Sequence, residues 1–189
     1  MKHEDFSRYY GLEGYLFNEV SKHYQETNTV TTFDFFCIVI WKANRAKSKI
    51  AKRLLANGHE NLDAAVRSLV NAISSESDMK GRLRVITEVW GFRLPMASAI
   101  LTVLFPSDFT IYDVRVCEIL GDFEDAQHKA RFDDLWARYE KYIERVRTAA
   151  SGDRTLRDKD RWLWGKSFAL QLEADIQKNF DRSDPDSKS

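Results

Sequence analysis

Two cysteines, three prolines and eight glycines in 189 residues deny this chain several ways of being a protein. Cys37 and Cys117 both sit in apolar, helix-periodic surroundings, so buried free thiols are expected in preference to a disulfide. No run of sequence approaches the roughly 18 to 20 apolar residues that a spanning helix needs, which argues against a membrane partner. The opening Met1-Lys-His-Glu-Asp5 has no apolar centre of the kind a signal peptide carries, and a cytoplasmic protein is expected. Zinc-ligand spacings, a phosphate-binding P-loop, a dinucleotide glycine fingerprint and internal repeats are all missing, and His3 and His23 stand alone as surface residues. An excess of either charge is missing too. The 29 basic and 29 acidic residues cancel, whereas nucleic-acid-binding domains are usually basic overall.

The composition that remains, 43% hydrophobic and 31% charged, is that of one globular domain, assigned here to residues 1–180. Residues 181–189, Asp-Arg-Ser-Asp-Pro-Asp-Ser-Lys-Ser, offer nothing to bury and read as a disordered tail. The apolar positions recur at helical spacing through the chain, which predicts an all-α fold. Helices are expected over about 13–25, from a Thr31 or Thr32 cap through the apolar 33–41 and on to 55, over 62–73 behind an Asn61 cap, and over 79–90 behind Asp78. Further helices are expected over 128–149, where Phe132, Trp136, Tyr139, Tyr142 and Val146 form a core stripe, and over 157–179. The charge is unevenly spread. Lys42, Arg45, Lys47, Lys49, Lys52 and Arg53 fall within twelve residues that contain no acid, so one helix face is locally basic on a neutral protein.

Residues 88–117 organise the rest. Gly91 can take the positive φ that ends a helix, and Pro95 suits the first turn of the next, where its missing N–H costs nothing. Residues 96–105 are apolar on nearly every face and predict a central helix, which Pro106 stops. After an extended 109–112, Asp113 stands where another helix is about to begin. Alone, it reads as a helix cap.

Taken in order, Gly91-Phe-Arg93, Ala97-Ser-Ala99, Pro106 and Asp113-Val-Arg-Val116 resemble the helix-hairpin-helix superfamily of DNA glycosylases over about forty residues, within the region 78–120. The resemblance implies a single-domain glycosylase-like fold around a helix-hairpin-helix motif. It implies double-stranded DNA bearing a damaged or modified base as partner, and a monomer as the working form. Asp113, eighteen residues after Pro95, becomes the catalytic carboxylate, a role compatible with capping. Gly91, Phe92, Arg93, Ser98 and Arg115 are implied to contact DNA around the hairpin. Lys42, Asn44, Arg45 and Lys49 fall on the family's probing element, with Asn44 filling the gap left by an extruded nucleotide. Trp41 and one of Trp162 or Trp164 are implied to line the base pocket. Arg157-Asp-Lys-Asp-Arg-Trp-Leu-Trp164 is similar to the family segment that closes it.

Two departures bear on the chemistry. Arg93 replaces a second hairpin glycine, and Pro95 replaces the lysine of the strand-cleaving members, which implies a monofunctional enzyme without a Schiff-base nucleophile. The iron-sulfur cluster of some members needs four cysteines, so no metal and no cofactor is expected, apart from a monovalent cation bridging the hairpin carbonyls near Thr87, Val89 and Phe92 to a phosphate. Hydrolysis would proceed on a flipped nucleotide, with Asp113 stabilising positive charge on the sugar. Base-excision repair and defence against phage DNA with modified bases both fit. The alternative is a non-catalytic DNA-binding protein that keeps the hairpin and uses Asp113 only as a cap.

Overall fold

The computed structural model describes residues 6–149, 152–178 and 180, so the expected tail at 181–189 lies outside the described residues. All the regular structure in them is helical, and none of the helices is long and apolar enough to cross a membrane. Helix α1 (Leu12–Tyr15) runs through a π-helical turn (Leu16–Val20) into α2 (Ser21–Thr27). Leu16, Val20 and Tyr24, four residues apart, share one buried face. Asn28, with φ 54°, ends the run in the left-handed conformation that asparagine tolerates.

Thr31 caps α3 (Thr32–Ala43) by accepting from the Asp34 N–H at 3.1 Å. The continuous helix expected from 33 to 55 is broken. Ala43 (φ −161°, ψ 85°) leaves the helical region, a 3₁₀ turn (Asn44–Ala46) follows, and α4 (Lys47–Leu55) sets off on a new axis. The reason lies in the two patterns. Helix α3 buries Phe35, Cys37, Ile38 and Val39 around much of its circumference, while α4 buries only Ile50 and Leu54. One straight rod cannot satisfy both.

Asn61 and Asp78 cap α5 (Leu62–Ser74) and α6 (Met79–Arg84), as their positions predict. A π-helical turn (Val85–Val89) extends α6 to Trp90, and Gly91 turns the chain at φ 67°. Helix α7 (Leu94–Leu104) then begins, with Pro95 in its first turn and ten of its eleven residues buried, which makes it the central helix of the fold. It packs on α2, α3 and α6. Helices α8 (Val114–Leu120), α9 (Phe132–Ala149) and α10 (Leu156–Gln177) complete the order, with α10 against both α8 and α9. Cys37 and Cys117 are buried free thiols, which burial pushes up to about 11 in pKa.

Between α7 and α8 the chain runs extended through the buried Phe109, Thr110, Ile111 and Tyr112. With no sheet to join, its backbone groups need partners one by one. Tyr139 and Tyr142, from the aromatic stripe of α9, donate to the carbonyls of Thr110 (2.6 Å) and Ile111 (2.8 Å). The Tyr112 N–H donates to Ser98 Oγ at 2.9 Å, and the Tyr112 hydroxyl donates to the Phe123 carbonyl at 2.8 Å. Burial raises both α9 phenols well above their usual range, so they remain protonated donors.

Replacing Ser98 by Ala strands the buried Tyr112 N–H and should cost about 1–3 kcal/mol of stability in urea unfolding. Ser48→Ala, on an exposed face, should stay within about 0.5 kcal/mol. Equal effects of the two changes would show that the segment is not held this way.

Candidate functional site

The pinned segment delivers Asp113 to a cavity of about 450 Å³. One wall is Trp41 and Lys42, at the end of α3; another is Ile111 and Asp113; a third comes from the first turns of α10. Asp113 does two things with its two oxygens. Oδ1 accepts from the Arg115 N–H at 3.1 Å and caps α8, while Oδ2 accepts from Lys42 Nζ at 2.7 Å. Lys42 also reaches the Tyr112 carbonyl at 3.5 Å. The side chains of this pair keep 16% and 23% of their exposure, so the contact is sheltered but reachable from the cavity.

The same cavity holds a second carboxyl. Asp160, 2% exposed, is ion-paired with Arg157, whose guanidinium also donates to Glu13 Oε1 at 3.1 and 2.5 Å. Arg161 Nε reaches the same Glu13 oxygen at 2.7 Å. Burial dominates at Asp160 and pushes its pKa up to about 6, against the pull of Arg157 and Lys42. Glu13 is pushed up by burial but held below the usual carboxylate range by Arg157 and Arg161. The Arg157 guanidinium lies 5.2 Å from the ring centres of both Phe17 and Trp41, which meet edge to face at 5.7 Å. Those contacts fix the Trp41 wall. Trp164, itself partly exposed, also lines the cavity, stacked on Phe168 at 5.8 Å with the Arg115 guanidinium 5.6 Å from its ring.

The structure thus brings Asp113, Trp41 and Trp164 together, and moves Lys42. Expected on the outward basic face, Lys42 turns inward to Asp113 instead, because it stands on the last turn of α3, before the break that redirects the chain. Asn44, Arg45 and Lys49 are exposed, with Lys47 donating to Asn44 Oδ1 at 3.1 Å. Trp162 is not a cavity residue: it is 40% exposed and faces Lys166, whose amine lies 5.3 Å from its ring. Nor is either tryptophan core, since Leu163 between them takes the inward position at 1% exposure.

At the hairpin, Gly91 and Arg93 are exposed. Phe92 is corrected from a DNA contact to a core residue, because its ring is buried and its N–H is spent on the Ile86 carbonyl at 3.0 Å. Ser98 is corrected likewise. It is fully buried, its hydroxyl donating to the Pro95 carbonyl at 3.2 Å and accepting from Tyr112. Arg115 spends one nitrogen on Gln171 Oε1 at 2.7 Å and covers Trp164.

Glu13, Arg157, Asp160 and Arg161 are given no individual role by the sequence; the last three enter only within the segment likened to the family's pocket-closing one. A signal existed for three of them: 157, 160, 161 and 164 follow the i, i+3, i+4, i+7 rule of one helix face, which would have placed the charged trio with Trp164. Glu13 gave no such signal. The carbonyls of Thr87, Val89 and Phe92 lie past the hydrogen bonds that close the π-turn, Trp90 N to Val85 O and Phe92 N to Ile86 O.

One cavity therefore holds an ion-paired carboxylate, a buried carboxyl that keeps its proton to a higher pH, an amine, and aromatic walls. No family model matches the chain, and neither a curated protein nor a solved structure matches it.

Asp160 generates a pH prediction. Folded, it holds its proton more tightly than it does unfolded, so its stabilising contribution is full below pH 3.8 and is lost as pH rises through about 6. Carbon NMR of the aspartate carboxyls should show one group titrating near pH 6 that disappears in Asp160→Asn. A parent protein whose aspartates all titrate below about pH 4.5 would contradict the burial argument.

Proposed function

We propose that this chain is a DNA glycosylase that excises a damaged or modified base from a flipped nucleotide, with Asp113 as its catalytic carboxylate. One observation carries the reading: Asp113 uses only one oxygen for its helix cap and presents the other inside a cavity walled by tryptophan. A carboxylate serving only as a cap has no need of a cavity beside it. The order of hairpin, central helix and aspartate in the sequence adds to this.

On this reading the base enters between Trp41 and Trp164, where its faces find aromatic surface. Breakage of the N-glycosidic bond leaves positive charge on the deoxyribose, which the fixed Asp113 carboxylate stabilises while orienting the attacking water. Asp160, still protonated toward pH 6, offers a proton to the departing base. Two carboxyls set apart in this way divide the work into charge stabilisation and proton donation. Arg93 and the N-terminus of α7 hold a phosphate, and the exposed Arg45 and Lys49 track the strand beside Asn44. The biological setting is base-excision repair or defence against phage DNA with modified bases.

Mass spectrometry of bases released from a panel of damaged and hypermodified DNAs tests the proposal. The parent protein should release a base and Asp113→Asn should not, while both bind duplex. Binding by both without release from any member of the panel would favour the non-catalytic alternative. Replacing Arg45 and Lys49 by Gln should weaken duplex binding irrespective of sequence, and should flatten its dependence on salt by up to about 0.9 logarithmic units for each phosphate that is no longer neutralised. An unchanged salt slope would remove this face from the interface.

A further inference from the structure

We infer that Lys42 is the nucleophile of a second activity of this cavity, cleavage of DNA at an abasic site through an imine with the deoxyribose. The inference rests on the glycosylase reading only for where the sugar sits. Lys42 carries the one amine among the described residues lining the cavity, and its Nζ is 2.7 Å from Asp113 Oδ2. A sugar placed with C1′ toward that oxygen therefore also meets the amine. The other two cations of the cavity, Arg157 and Arg161, are guanidiniums engaged by Glu13 and Asp160, and a guanidinium neither gives up its proton nor adds to a carbonyl. Asp113, whose Oδ2 lies 2.7 Å from Lys42 Nζ, is the base within reach that takes up the amine proton as the sugar binds. Pro95 leaves the hairpin without an amine, but the end of α3 supplies one inside the cavity, so strand cleavage, which the hairpin itself cannot perform, becomes the expected outcome.

The step balances without any further reagent. The abasic sugar opens to an aldehyde; the neutral Lys42 amine adds to C1′, forming an N–C bond, and the oxygen leaves as water with a proton returned through Asp113. The resulting iminium acidifies the C2′ hydrogen. When that proton passes to the Asp113 carboxylate, its electron pair forms the C2′–C3′ double bond and the C3′–O bond breaks, expelling the phosphate at the 5′ end of the downstream strand; Asp113 then gives the proton up to solvent. Water then hydrolyses the imine and frees Lys42.

The competing role for Lys42 is a positioning one, an ion-pair partner that only holds Asp113. A duplex with a single abasic site, prepared by enzymatic removal of uracil and incubated with the protein and sodium borohydride, separates the two. Borohydride reduces an imine to a stable amine, so the parent should become covalently joined to DNA on the peptide that contains Lys42. Lys42→Arg keeps the positive charge and a donor for Asp113 but has no primary amine; its cross-link should fall to background while binding to the abasic duplex persists. Mapping the adduct on the parent chain needs no variant to fold. Absence of a cross-link on bound DNA, a cross-link on another residue, or one that survives in Lys42→Arg would overturn the inference. Cross-linking without base release from the panel would leave Lys42 in place and sink the glycosylase reading; base release without cross-linking would do the reverse.

Discussion

The arrangement depends on how one extended segment is held. Thr110, Ile111 and Tyr112 run between two helices without a strand to pair with, and three hydrogen bonds, from Tyr139, from Tyr142 and to Ser98, take the place of a sheet. Each partner lies on a helix buried for other reasons: Ser98 on the central α7 and the tyrosines on the core stripe of α9. Fixing the backbone from both sides fixes Asp113 at its end. On the proposed reading, a carboxylate that stabilises charge on a reacting sugar gains most when its position is set before substrate arrives.

The electrostatics of the cavity follow from depth. Asp113 is half-sheltered and paired with Lys42, Glu13 is held ionised by two arginines, and Asp160, the most buried of the three, resists ionisation although Arg157 touches it. Two carboxyl groups of similar intrinsic acidity, Glu13 and Asp160, are thereby shifted in opposite directions by their surroundings alone. The charges nearly cancel within the cavity, with Lys42, Arg157 and Arg161 opposite the three acids, in keeping with the neutrality of the whole chain.

That neutrality does not conflict with a DNA partner, because the basic residues are sorted by location. Arg45 and Lys49 stay exposed on the turn and on α4, Arg93 is exposed at the hairpin, and Lys42 is withdrawn into the cavity. The break at Ala43 does the sorting. It lets one basic stretch of sequence serve both an outer surface and an inner site.

The helix starts were legible in the sequence, though the break at Ala43 was not, because caps, periodicity and positive-φ glycines act over a few residues: Thr31, Asn61 and Asp78 cap as expected, and Gly91 turns the chain before Pro95. Asp113 at the start of α8 was legible for the same reason, whereas Trp41 beside it came only from the resemblance. What the linear order could not supply was which side chains face one another across the cavity. Lys42 and Asp113 are seventy-one residues apart, and Glu13 and Arg157 one hundred and forty-four; no local rule links them. Phe92 and Ser98 looked available to DNA only because burial is decided by neighbours from elsewhere in the chain. The sequence by itself determined the helices and the carboxylate that opens α8, since both depend on short-range sterics and hydrogen bonds. Tertiary packing alone decided that an amine and a buried, proton-holding Asp160 share the cavity with that carboxylate, since proximity and desolvation are properties of the folded chain.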